Sequence, residues 1–168
     1  TRKDLKASPA LSILLNQPET FAGRKLGVLV SDGADAELLT ALEKAAKKEG
    51  AKLAYVAASV GGVKTSDGSW LEADEKIDGG PSVVFDAVAL VLSEEGAREL
   101  AAMPPARDFV SDALAHKKFI GFTKGAVQLL GLSGPDGADS DGVEPLDKAS
   151  DAARFLKICR NLRCWTRG

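Results

Sequence analysis

Four short apolar runs are the feature that most constrains the fold: K-L-G-V-L-V-S (25–31), K-L-A-Y-V-A-A (52–58), D-A-V-A-L-V-L (86–92) and K-F-I-G-F-T (118–123). A strand with one wet face alternates apolar and polar residues. These runs scarcely alternate, so each is expected to be a strand covered on both sides. Helical periods separate them. Ala36–Lys48 places Leu38, Leu39, Leu42, Ala45 and Ala46 on one face and stops at Gly50. Two further helices are expected over Glu94–Met103 and Ala106–His116, separated by Pro104-Pro105, and another opens at Gly125–Leu130. Lys148–Leu162 closes the chain with Ala152, Phe155, Leu156 and Cys159 on one side.

Strands alternating with helices predict an α/β, doubly wound, flavodoxin-like architecture: a mainly parallel sheet with helices on both faces. Val63–Ala73 interrupts the alternation. Asp67-Gly68 lies there between two short β-prone pieces, which predicts a small β-hairpin insertion. Thr1–Gly23 is polar, contains Pro9 and Pro18 and has no sustained period. The expected organisation is therefore an arm or interdomain linker over 1–23 and one domain over 24–168, a length that can bury a single core.

Composition removes several function classes. The net charge of -2 supplies no basic field for nucleic acid or an anionic membrane surface. No apolar run approaches the roughly 20 residues needed to span a bilayer. Leu11–Leu15 is too short and interrupted for a signal-peptide core, so a cytoplasmic location is the expectation. Cys159 and Cys164 are five residues apart. On a helix that spacing rises about 7.5 Å and turns the side chains to different faces, which predicts reduced structural thiols. His116, the single histidine, is far away in sequence, so neither zinc binding nor Cys/His catalysis is expected.

In sheets of this type the reactive crevice lies at the carboxyl ends of the strands. After the first strand, S-D-G-A-D-A-E (31–37) offers Asp35 as a helix cap and Glu37 as a carboxylate beside the crevice. After the fourth, F-I-G-F-T-K-G-A (119–126) has the strand–turn–helix form of a nucleophile elbow, with Thr123 or Lys124 at its tip. A threonine hydroxyl needs an activating base, and His116 precedes the strand at the opposite edge of the sheet. Its expected role is to stabilise a helix end. The loop P-D-G-A-D-S-D-G (135–142) suggests calcium superficially, but Gly137 breaks the ligand spacing and leaves Asp139 and Asp141. G-x-G-x-x-G and Walker motifs are absent, and Trp70 and Trp165 are expected to be packing anchors.

Several stretches together resemble the carboxy-terminal domain of large-subunit catalases. They are G-R-K-L-G-V-L-V-S-D-G-A-D (23–35), S-D-G-S-W-L-E-A-D-E-K-I-D-G-G-P-S-V-V-F-D-A-V (66–88), A-R-D-F-V-S-D-A (106–113), H-K-K-F-I-G-F (116–122) and A-R-F-L-K-I-C-R-N-L-R-C-W-T-R (153–167). The resemblance covers the chain after Gly23, and residues 1–22 resemble the linker before that domain. It implies a homotetrameric parent in which a haem core, with haem b or d, precedes this domain. It also implies relation to the class I glutamine amidotransferase-like superfamily, including intracellular proteases and a Parkinson's-associated chaperone/deglycase branch. Those relatives carry a cysteine at the elbow and often a glutamate after the first strand. Here Thr123 matches the elbow, and the glutamate position falls near Leu38 with Glu37 beside it.

The resemblance therefore implies no catalytic residues in this chain, with Thr123, Lys124 and Glu37 as vestiges. It implies neither a metal nor a cofactor here. Catalase draws its distal histidine and asparagine and its proximal tyrosinate from the core. Tyr55 and His116 lie outside the corresponding motifs. The expected function is a non-catalytic accessory domain of a hydrogen-peroxide-disproportionating catalase. It would stabilise the parent, influence access to the haem channel and act as an ATP-independent holdase toward unfolding clients. The alternative is a divergent amidotransferase- or deglycase-like hydrolase acting through Thr123.

Overall fold

A computed structural model describes residues 4–133 and 140–167. Six parallel strands form the main sheet: β1 (Lys25–Val30), β2 (Lys52–Ala57), β5 (Glu75–Lys76), β6 (Ala87–Val91), β7 (Ile120–Phe122) and β8 (Val143–Pro145). They run in the order β5-β2-β1-β6-β7-β8, and every neighbouring pair is parallel. The insertion is a separate antiparallel hairpin, β3 (Val63–Lys64) with β4 (Trp70–Leu71). Helix α1 (Ala36–Lys48) packs against α5 (Asp151–Cys159), while α2 (Glu94–Ala101), α3 (Pro104–Ala115) and α4 (Val127–Ser133) pack together.

The unbroken apolar runs have the expected cause. Val28, Val30, Ala89 and Val91 belong to the core shared with α1 and α5, while Leu29, Val88 and Leu90 belong to the core shared with α2, α3 and α4. Successive strand residues point to opposite faces, so a sheet covered twice needs apolar residues at every position. Gly27 is required by space: a Cβ there would stand 2.4 Å from the Phe85 ring.

The structure departs from expectation in four places. Pro104 and Pro105 are not a linker between helices; they form the first turn of α3, where a missing N–H costs no intrahelical bond. The edge strands β5 and β8 were not anticipated. They are two and three residues long and exist through pairing with β2 and β7. Phe21, inside the segment expected to be arm rather than core, is fully buried against the α1 side. Trp70 and Trp165, expected to be packing anchors, are exposed instead. Most of the 135–142 loop considered for calcium lies outside the described residues.

Candidate functional site

The order of strands reverses direction between β1 and β6, so the carboxyl ends of those two strands frame the crevice where such sheets bind ligands. Here the two turns are joined to each other. The Ser93 N–H donates to Ser31 Oγ at 3.2 Å, and Ser93 Oγ donates to the Asp32 carbonyl at 2.7 Å. Ser93 Oγ also accepts from the Gly96 N–H at 3.0 Å, capping α2. Asp32 in turn accepts the Lys64 N–H at 2.7 Å, and the Gly33 N–H donates to the Lys64 carbonyl at 2.7 Å, tying the hairpin to the same turn.

Packing closes what the hydrogen bonds join. A Cβ on Gly96 would stand 2.1 Å from Ser31 Oγ, and one on Gly125 would stand 2.4 Å from the Leu92 carbonyl oxygen. Glycine at both positions lets the starts of α2 and of the 124–126 turn sit directly on the neighbouring strand ends. Two hollows remain beside this seam. One of about 210 Å³ includes Ser31, Asp32, Ser59 and Glu99, and one of about 430 Å³ includes Asp32, Ser93, Glu95 and Glu99. Neither is lined by Thr123, Lys124 or Glu37.

The elbow differs from a nucleophile turn in its backbone and in its hydroxyl. Thr123 is extended (φ -82, ψ 158) and leads into a 3-10 turn over Lys124–Ala126. The sole non-glycine residues with positive φ among those described are Lys117 and Leu162, so the strained tip of an elbow is not built here. Thr123 Oγ1 accepts the Leu92 N–H at 3.0 Å and donates to the Leu92 carbonyl at 2.9 Å. The hydroxyl is thus used to extend the β6–β7 pairing. Lys124 and Glu37 are exposed, and Leu38 is buried in the core. β1 and β7 flank β6, so their ends are roughly 9.5 Å apart and Glu37 is not brought to Thr123.

The other singled-out residues have structural partners. Asp35 accepts the Leu38 N–H at 2.9 Å and caps α1. Tyr55 packs beneath α1 and its hydroxyl donates to Glu43 at 2.7 Å; burial, then this carboxylate, pushes its pKa up. His116 ends α3, exposed, at the amino edge of the sheet. Cys159 and Cys164 are free and buried, and burial pushes the Cys159 thiol up. Among the described residues, no group of three or more His, Cys, Asp or Glu side chains is placed to hold a metal ion.

Sequence reasoning missed Ser31, Ser93, Gly96 and Gly125. Ser93 had a signal, a serine followed by Glu94-Glu95 at a helix start. The glycines had none beyond their presence in helix starts, since only the neighbouring turn explains them.

This fold is similar to that of solved DJ-1-like proteins. Oxidized DJ-1 of Toxoplasma gondii superposes with a TM-score of 0.63 at 15% identity, covering 80% of this chain and 87% of that one. A DJ-1 superfamily protein of Salmonella typhimurium gives 0.59 at 22% identity, covering 74% and 75%. These likenesses concern the fold. Residues 22–168 match the family described as the C-terminal domain found in long catalases, and the chain belongs to that family. It is similar to Catalase C of Rhizobium meliloti, 47% identical over 99% of this chain and 24% of the relative. It is also similar to Catalase HPII of Pseudomonas putida, 33% identical over 97% of this chain and 22% of the relative. The chain thus spans about a quarter of the length of these relatives.

Proposed function

We propose that this chain is an accessory domain without chemistry of its own, attached to a haem catalase that disproportionates hydrogen peroxide in the cytoplasm as a homotetramer. The observation that carries the reading is the seam between Ser31, Asp32 and Ser93, which ties the two turns of the crevice together, with the engagement of the Thr123 hydroxyl by Leu92. A hydrolase of the amidotransferase-like type needs an exposed nucleophile beside free backbone amides. Here the hydroxyl is occupied and the crevice amides of Ser93 and Gly96 already donate within the chain. The haem, b or d, belongs in this proposal to the portion of the parent that precedes the domain.

The domain's work is then mechanical: it stabilises the core and narrows the route to its haem. Deleting residues 24–168 from the full-length catalase tests this. The expected result is faster thermal inactivation and an altered balance between small and bulky peroxide substrates, with peroxide turnover retained. Unchanged stability and unchanged selectivity would defeat the accessory role. Hydrolase turnover by the intact protein that disappears on Thr123→Ala would establish the rival reading instead.

A holdase role draws support from Val60 and Trp70, which are 74% and 63% exposed in the hairpin region. Trp70 is held outward by its indole N–H, which donates to the Gly61 carbonyl at 2.8 Å. Light scattering of a heat-denatured client in the presence of the full-length protein and its Trp70→Ser variant measures that role. Equal suppression by both would remove this surface from it.

A further inference from the structure

The carboxy-terminal segment carries a buried cation that the domain pairs incompletely. Arg167 is 8% exposed. Its Nε donates to the Asp141 carbonyl at 2.8 Å, and its Nη1 donates to the carbonyls of Lys118 and Leu114 at 3.0 and 3.3 Å. Nη2 is buried and meets no acceptor. A guanidinium is always charged and presents its N–H donors in a fixed fork. Neutral carbonyls do not cancel that charge, so the unpartnered edge of the fork favours an anionic or strongly accepting atom.

The group beside that edge is Cys164. Gly142, at φ +75, leaves empty a Cβ position that is 2.9 Å from Cys164 Sγ and 3.1 Å from Arg167 Nη2, so the two atoms border one point. Thr166 Oγ1 lies 3.3 Å from the same sulfur. The turn is fixed from below: the Cys164 N–H donates to the Lys117 carbonyl at 2.7 Å, and the Lys117 ammonium donates to the Arg167 carbonyl at 2.7 Å. Cys159 has a different setting. It is fully buried in α5, and burial first and the Glu144 carboxylate second push its thiol up. Cationic surroundings and a small opening separate oxidisable cysteines from inert ones. Cys164 has both, because it is 7% exposed and is followed by the exposed Trp165 and Thr166.

We propose that Cys164 is a modification site for hydrogen peroxide, oxidised to a sulfenic acid whose oxygen accepts a hydrogen bond from Arg167 Nη2. A sulfur lone pair attacks one peroxide oxygen, and the S–O bond forms as the O–O bond breaks. The departing hydroxide takes the thiol proton and leaves as water. One thiol and one peroxide thus give one sulfenic acid and one water, with sulfur oxidised by two electrons and peroxide reduced by two. The water-sized oxidant suits so small an opening. The structural role expected of both cysteines is kept for Cys159 alone. The proposal goes beyond the accessory-domain reading, since it concerns residues of this chain only.

Trapping of the sulfenic acid tests it. The full-length protein is treated with hydrogen peroxide and a 1,3-dione that alkylates sulfenic acids, with azide present so that a haem core does not consume the oxidant. Adducts are located by peptide mass spectrometry, and tryptic cleavage at Arg160 and Arg163 places the two cysteines in different peptides. Trapping at Cys164 about tenfold or more faster than at Cys159 is expected. Arg167→Gln should slow it about tenfold, and Arg167→Lys, which keeps the charge, should stay within about threefold of the unsubstituted protein. A substitution that loosened the segment would expose the thiol and speed trapping, so unfolding does not imitate the expected fall. Cys164 trapped no faster than Cys159 would overturn the site. Trapping in Arg167→Gln at or above the unsubstituted rate would overturn the part given to the guanidinium. Failure of the deletion experiment would remove the accessory role and leave this result standing, because it is read at Cys164 itself.

Discussion

Thr123 and Leu92 hold each other by two hydrogen bonds: the Leu92 N–H donates to Thr123 Oγ1 at 3.0 Å, and Thr123 Oγ1 donates to the Leu92 carbonyl at 2.9 Å. The Thr123 hydroxyl thus acts as a fastener between β6 and β7. Thr123→Val keeps the shape and removes the hydroxyl, leaving two polar groups of Leu92 without this partner. A loss of about 1–3 kcal/mol in denaturant unfolding is expected. Thr123→Cys is expected to give no esterase or deglycase turnover, because the backbone at 123 is extended and unstrained.

Gly96 meets Ser31 where the crevice closes. Gly96→Ala places a methyl 2.1 Å from Ser31 Oγ and 2.2 Å from Ser31 Cβ, so the turn after β1 or the start of α2 must move. Overpacking of this kind costs about 1–3 kcal/mol. Ser31→Gly removes both obstructing atoms, and the double variant should recover some of that loss in thermal unfolding. Additive losses would show that the seam is not set by this contact.

Lys118 is 2% exposed, and its ammonium donates to the carbonyls of Ser82 and Phe85, closing the 82–84 turn onto β7. Burial first, and Arg163 second, bring its pKa from 10.5 down to about 8, against the opposing pull of Asp86 and Asp112. Above about 8 the unfolded chain binds the proton more readily than the folded one, so this group's contribution to stability rises between pH 8 and 10.5. A neutral amine retains two N–H groups for the two carbonyls. Lys118→Met strands both carbonyls and should cost about 1–3 kcal/mol at neutral pH. Urea unfolding of both proteins should show their difference widening from pH 7 to 10; a constant difference would contradict the assigned titration.

Arg160 grips Glu49 with Nε and Nη2, each 2.8 Å from one carboxylate oxygen, and so ties the end of α1 to the end of α5. The hydrogen bond from Arg160 holds the Glu49 carboxyl below its ordinary value of 4.5. A lowered carboxylate pKa supplies stability above the ordinary value that is lost as pH falls through the folded one. Arg160→Ala should therefore lower the melting temperature at pH 7 and make little difference well below pH 4.5. The Arg160 side chain is 41% exposed, so high salt should also shrink the effect.

The extent to which each element could be read locally follows from where its determinants lie. Four buried strands were legible in their own residues, since burial on both faces demands an unbroken apolar run. Helix α1 was legible to the residue, because Asp35 caps it and Gly50, at φ +68, ends it. The hairpin was legible at Asp67-Gly68, with Gly68 at φ +85. These signals act over a few residues, so the amino-acid sequence by itself determined the layers, their order along the chain and the family.

Only the tertiary structure decided what those layers do. Glu75–Lys76 and Val143–Pro145 become strands because β2 and β7 offer open edges, a choice no local propensity records. Phe21 enters the core from a polar arm, and Lys118 enters it because two carbonyls await its ammonium. The Thr123 hydroxyl bonds Leu92, 31 residues away, and Ser31 and Ser93 join across 62. Each outcome depends on groups brought together by the sheet order rather than by sequence spacing. That is why the fold could be read from the chain, while the joining of its crevice turns required the assembled molecule.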